Sequence, residues 1–138
     1  MSPHKLFRLP QEIFRARRSR GVAQKTLALA VGVGGSRLSA IEKGRAIGTA
    51  NDMVERLSVA LNLSDAERRS LKRAAAQDRA MREITKDYAP EDQELVAACL
   101  DAARLLAKED RDALKSFVLD LVGPRERFAI YSNKGDTP

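Results

Sequence analysis

The tightest constraint in this chain is a spacing: Ala28 is followed by Gly32, Leu38 and Ile41 at offsets of four, ten and thirteen residues. Two helices that cross steeply must touch closely, so the first needs a small side chain at the contact, and Ala28 supplies it. The tight turn after it needs a residue tolerant of positive φ, which is Gly32. The second helix buries Leu38 and Ile41 on one side and leaves its other side open. Val33 plugs the turn. Residues 24–41 therefore predict two short helices joined by a glycine bend.

The apolar pattern around this pair is helical along the rest of the chain. Residues 1–9 read as an arm. Pro10, at a first helical position, opens a helix through Arg20 with Ile13 and Ala16 inward, and Gly21 stops it. Residues 23–31 make a second helix, with Leu27, Ala28 and Val31 inward, and residues 35–43 a third, closed by Gly44. Thr49 caps a fourth, whose stripe is Met53, Leu57, Ala60 and Leu61. Ser64-Asp65-Ala66-Glu67 is a capping-box pattern that opens a fifth helix reaching Thr85. Its stripe of Leu71, Ala74 and Ala75 weakens where Asp78 intrudes, so its second half reads as an exposed connector.

Tyr88-Ala89-Pro90 is the internal boundary, because proline disfavours helix immediately before it. It divides the chain into residues 1–86 and 87–138. Beyond it lies a helical pair. Residues 90–108 carry Leu95, Cys99, Ala102 and Leu106, and residues 110–122 carry Leu114, Phe117, Val118 and Leu121. Gly123-Pro124 ends the pair, and residues 125–138 form a loose end with a small apolar cluster of Phe128, Ile130 and Tyr131.

Composition narrows the function. Aromatic residues are 4% of the chain, which speaks against strand-rich folds and against stacking platforms for single-stranded nucleic acid. Residues 1–86 hold 18 Lys and Arg against 8 Asp and Glu, a net of +10, whereas residues 87–138 hold 7 against 11, a net of −4. The basic part suits a polyanionic partner. Cys99 is the single cysteine, so no internal disulfide forms. No apolar run has the length of a signal peptide or a membrane span, and the expected location is the cytoplasm, with the nucleoid. His4 stands on the arm without metal-ligand company, and Gly32-Val33-Gly34-Gly35 lacks the lysine of a phosphate loop. With one His and one Cys, nothing pairs as nucleophile and base. Neither catalytic residue, metal nor cofactor is expected; Glu109, Asp110 and Asp112 read as an acidic helix start.

Residues 9–63 resemble the helix-turn-helix family of the phage lambda repressor and Cro, the XRE regulators. The resemblance is carried by Arg17 before Gly21, by Gln24-x-x-Leu27-Ala28, and by Ile41-Glu42-Lys43-Gly44-Arg45. It implies an all-α fold: a five-helix lambda-repressor-like domain followed by a small C-terminal helical hairpin. It also implies that the third helix lies in a DNA major groove. Gly35, Ser36, Arg37, Ser39 and Ala40 would then face base edges, Arg37 being the long donor among them. Gln24 and Lys25 would hold a phosphate beside free backbone amides, and Lys43, Arg45 and Asn51 would grip the backbone on the other side. Arg37 has a bland alternative as a local ion pair, and the run Arg15, Arg17, Arg18, Arg20 reads as a solvated helix face. Two departures stand out. Gly34-Gly35 replaces the polar pair that usually opens the recognition helix, and Ile47-Gly48 replaces a common Asn-Pro. Direct base readout is correspondingly thin, which shifts weight to DNA shape and water-mediated contacts.

The resemblance further implies a homodimer on a two-fold-symmetric operator, most simply as a repressor. Residues 90–122 are the expected dimerisation element or the seat of an effector protein, through Leu95, Cys99, Ala102, Leu106, Leu114, Phe117, Val118 and Leu121. Packing back onto the first domain is the alternative, and taken alone Cys99 reads as a core residue. A different class of function, an antitoxin-like or adaptor protein binding a partner through residues 90–138, fits the acidic half. A self-cleaving strand-rich domain does not fit a helical tail this short.

Overall fold

The computed structural model describes residues 6–44 and 51–136, with residue 51 and residues 125–136 described by their backbone. The described residues form seven helices and no strand: α1 (Leu9–Ser19), α2 (Gln24–Val31), α3 (Gly35–Glu42), α4 (Asn51–Ala60), α5 (Asp65–Asp87), α6 (Pro90–Leu105) and α7 (Lys108–Asp136). The fold is all-α, as the periodicity predicts. None of these helices is long and apolar enough to cross a membrane. The chain divides into two compact units, Met1–Leu100 and Asp101–Pro138.

The first unit is built around one cluster fed by five helices. Leu9 and Ile13 of α1 meet Leu27, Ala28 and Val31 of α2, Leu38 and Ile41 of α3, Met53, Val54 and Leu57 of α4, and Leu71 and Ala75 of α5. Short helices pack this tightly only if their ends are fixed, and three of them end in the same way. After α2, Gly32 takes the left-handed conformation at φ 73°, where a side chain would be strained. Val33 N then donates to Ala28 O at 3.0 Å and Gly32 N to Leu29 O at 3.2 Å. α1 repeats the pattern, with Val22 N on Arg17 O at 3.1 Å, and α4 does so with Leu63 N on Ser58 O at 3.0 Å. In each case the next residue (Val22, Val33, Leu63) packs into the core. At the third end Asn62 replaces glycine, at φ 51°.

Helix starts are fixed by carboxylates. The Ser64–Glu67 capping box forms as expected, with Glu67 N donating to Ser64 Oγ at 3.2 Å and Ser64 N to Glu67 Oε1 at 3.0 Å. Arg20 adds two bonds to the same carboxylate, at 3.0 and 2.8 Å, tying the end of α1 to the start of α5. The Ser64 backbone amide, then Arg20, then the Ser64 hydroxyl lower the Glu67 pKa from 4.5 to about 2.

Asp78 corrects the sequence reading of α5. It is no intrusion on an exposed connector: it is buried, together with Gln77 and Met81. Its Oδ1 accepts from Arg8 N at 2.7 Å and its Oδ2 from Leu9 N at 2.8 Å. Arg8, the N-cap of α1, makes no side-chain capping bond, so α5 supplies the cap from a distance. The arm is corrected with it, since Leu6 and Phe7 are buried in a second cluster with Met81 and Ala97, flanked by Ile84, Val96 and Leu100. The packing of the first unit thus runs across the 86/87 position into α6.

In α6 the inward face lies one residue round from the expected stripe. Val96, Ala97 and Leu100 turn in, so Leu95 and Cys99 turn out, and Cys99 is exposed rather than core. α7 departs further: Gly123-Pro124 does not end it, and the helix runs 29 residues with Pro124 inside. Proline removes one backbone hydrogen bond and crowds the preceding turn, but the turns on either side carry the helix through. Thr49, Ile47 and Gly48 lie outside the described residues.

Two outcomes follow for stability. Asp78→Ala leaves two amides without their acceptor and is expected to cost about 2 kcal/mol in urea unfolding, with Asp78→Asn costing less. Glu67 has a folded pKa below its unfolded value, so its contribution is complete above about pH 4.5 and is lost as pH falls toward about 2. Glu67→Gln should therefore flatten that part of an acid titration followed by circular dichroism.

Candidate nucleic-acid interface

α1, α2 and α3 meet at a buried ion pair. Arg17 Nε donates to Glu42 Oε1 at 2.8 Å, and the two side chains are only 11% and 4% exposed. Arg17 Nη1 also donates to Val22 O at 3.0 Å, which holds the turn between α1 and α2. The other Glu42 oxygen accepts from the Gln24 side-chain amide at the start of α2. One carboxylate at the end of α3 thus fixes both preceding helices.

The pair corrects the reading of the arginine run as a solvated face at Arg17, while Arg15, Arg18 and Arg20 are exposed as expected. Arg17 is buried, Arg20 binds Glu67, and Arg18 lies over the Phe14 ring at 5.6 Å. The face period of a helix explains the split: Arg17 follows Ile13 by four residues and shares its inward direction.

With Leu38 and Ile41 buried, the opposite side of α3 is open. Gly35, Ser36 and Arg37 are exposed there, Ser39 and Ala40 are half-buried, and Lys43 is exposed at the C-cap. Lys25 is exposed in the first turn of α2, whereas Gln24 is half-buried on Glu42. Arg45 lies outside the described residues; the backbone of Asn51 opens α4. A methyl group at Gly35 would meet nothing within 4 Å, and one at Gly34 only Ser36 Oγ at 3.9 Å. Packing within the domain therefore gives no reason for glycine at either position. As the departure at Gly34-Gly35 suggests, α3 begins without a side-chain cap.

The helix starts sort electrostatically. α1, α4, α5, α6 and α7 each carry an acidic residue in the first turn. α2 and α3 carry none, and neither has a side-chain cap. Their positive dipole ends and free amides are left for an outside anion. Between residues 13 and 51 the sequence has eight Lys and Arg and a single acid, Glu42, which Arg17 neutralises internally. Such a surface can attract a phosphate backbone and present one long donor, Arg37, beyond it. Arg56 Nη1 donates to Val31 O at 3.4 Å, securing the C-terminal end of α2. No local pattern announces that bond across 25 residues.

Removing one partner of a buried pair strands the other charge, so Glu42→Ala is expected to cost roughly 3–5 kcal/mol in guanidinium unfolding. Arg17→Met combined with Glu42→Leu should cost clearly less than the two single changes added together. Strict additivity would show that the pair is not the link between α1 and α3.

Comparison with known proteins bears on the same stretch. No curated protein and no solved structure matches the chain significantly. Residues 11–71 match a family model described as a helix-turn-helix domain. That span takes in α1 from its third residue, α2 to α4, the opening of α5, the glycine bend and the Arg17–Glu42 pair. The chain carries a helix-turn-helix domain consistent with the Cro and lambda-repressor kind, the type of domain that marks a DNA-binding regulator.

Proposed function

We propose that this protein is a sequence-specific regulator of the XRE kind that binds double-stranded DNA as a dimer on a two-fold-symmetric operator, acting as a repressor without catalysis. The observation that carries the reading is the pairing of an open α3 face with two uncapped, acid-free helix starts on one basic stretch. α3 enters the major groove, and Gly35, Ser36, Arg37, Ser39 and Ala40 lie toward base edges. Gln24 and Lys25 hold a phosphate at the start of α2; Lys43, Arg45 and Asn51 hold the backbone on the far side.

Arg37 is the long side chain in the reading set, so direct discrimination rests on one base pair, worth about 1–3 kcal/mol. The small residues around it let the helix backbone come close to the groove, where shape and deformability supply the rest of the selectivity. Residues 1–86 hold the DNA-reading function. Residues 87–138 supply the dimer or partner interface, through Leu95, Cys99, Ala102, Leu106, Leu114, Phe117, Val118 and Leu121. The protein works in the cytoplasm, at the nucleoid.

A second reading draws on the same half. Exposed Leu95, Cys99 and Phe117, with the net charge of −4 over residues 87–138, suit an antitoxin-like or adaptor protein whose main contact is another protein.

Selection of bound sites from a random DNA pool separates the two. A regulator enriches a two-fold-symmetric site, and failure to enrich any site overturns that reading. On the selected site, Arg37→Ala should relax preference at one base position. Lys43→Ala should weaken all DNA alike and reduce the slope of log affinity against log salt by about 1.

A further inference from the structure

We propose that the outward face of α5 is a second, sequence-independent surface for the backbone of duplex DNA, built by Arg69, Lys72, Arg73, Arg79 and Arg82. One chain then holds a DNA segment apart from the one that α3 reads. The surface is argued from α5 alone and stands whether or not α3 reads a base. From Arg68 to Arg82 the sequence carries six basic residues and one acid, Asp78. That acid is buried, with its two oxygens on the amides of Arg8 and Leu9, so no carboxylate of this stretch reaches the surface. Glu55 of α4 pairs with Arg68 and Lys72 at the edge of the row, and the Lys72 side chain stays 51% exposed. Arg69, Arg73, Arg79 and Arg82 are exposed as well.

Helical spacing gathers these charges. At 100° per residue, Arg69, Lys72, Arg73 and Arg79 fall within an arc of about 120°, opposite the buried Leu71, Ala75 and Asp78, and Arg82 widens it to about 180°. Along the axis the row runs about 20 Å, the rise of about six base pairs. Exposed Ala76 and Ala80 lie in the middle of the arc and leave room for a broad partner between the cationic side chains. Arg69 and Arg73 stand four residues apart, and Arg79 and Arg82 three apart, so like charges are neighbours at a cost to the helix. A face that meets only water gains nothing from that repulsion, whereas a bound anion removes it. The chemistry selects the anion. The row holds no aromatic residue and no apolar side chain larger than alanine, so it offers nothing to a membrane surface or to unpaired bases. The regular phosphates of a duplex need only the cations. α5 packs on α1 and α4, and α3 on α1 and α2. With α1 between them, the two open faces look away from the shared core in different directions.

The test uses the full chain, with a short duplex of random sequence as the probe. Arg37→Ala with Lys43→Ala removes contacts assigned to the α3 side, and the binding left to this parent is followed against salt. Adding Arg69→Gln, Arg73→Gln and Arg79→Gln should weaken that binding at least ~10-fold in low salt and reduce the slope of log affinity against log salt by about 3. The same three changes should keep the circular dichroism of the parent and hold or raise its urea midpoint, because they relieve repulsion along α5. Should the triple change disturb the fold, Arg69→Gln with Arg73→Gln keeps the test, with the slope reduced by about 2. Unchanged affinity and slope overturn the proposal. So does a polyglutamate chain bound as tightly as a duplex of equal charge, which would assign the row to an acidic protein. Wild type saturated with its selected site should still take up a labelled random duplex, and the α5 changes alone should abolish that uptake while leaving the site bound. Absence of uptake by the wild-type complex overturns the second segment. A chain that selects no site yet passes the α5 titration would lose the operator reading and keep this surface.

Discussion

The architecture depends on a pair of opposite charges placed where water does not reach. Taking Arg17 and Glu42 out of solvent is costly, and their attraction repays the cost only with good geometry and with the remaining bonding positions filled. Both conditions are met: the guanidinium spans Glu42 and the Val22 carbonyl, and the second carboxylate oxygen takes the Gln24 amide. A hydrophobic substitute of the same size could fill the volume. It could not also fix three helices by direction. The same interaction therefore sets the orientation of α3.

Helix ends complete the frame. Left-handed residues at Gly32 and Asn62 turn the chain sharply, and the apolar residue that follows each is drawn into the core. The turn is thereby fixed by backbone bonds on one side and by packing on the other. Helices of eight residues, such as α2 and α3, have little stability of their own; turns of this kind bound α2 on both sides and α3 at its start.

Much of this was legible in the sequence because it is local. The small residue at Ala28, the bend at Gly32, the plug at Val33 and the Ser64–Glu67 box each lie within a few residues of what they act on, and the chain folds as those signals indicate. What escaped acts over long separations. Asp78 looked like a flaw in an apolar stripe because its partners, the amides of Arg8 and Leu9, lie about 70 residues earlier and leave no periodic trace. Arg17 was hidden among four arginines that composition does not distinguish. In α6 two overlapping apolar stripes were available, and the choice between them fell to Leu6 and Phe7, which pattern reading had assigned to a free arm. The open face of α3 was legible; what that face meets is not written in the periodicity.

The cap on α1 has a bearing on how this domain comes into being. The stretch that matches the helix-turn-helix family ends at residue 71, short of Asp78 and of the second cluster that Met81 and Ala97 build around Leu6 and Phe7. A fragment cut to the family's limits would keep α3 and lose the anchor of α1. During synthesis the same holds in time, for α1 waits for a carboxylate made some seventy residues later. Completion of the first helix is thus tied to the middle of α5, and the unit that folds is longer than the stretch that matches the family.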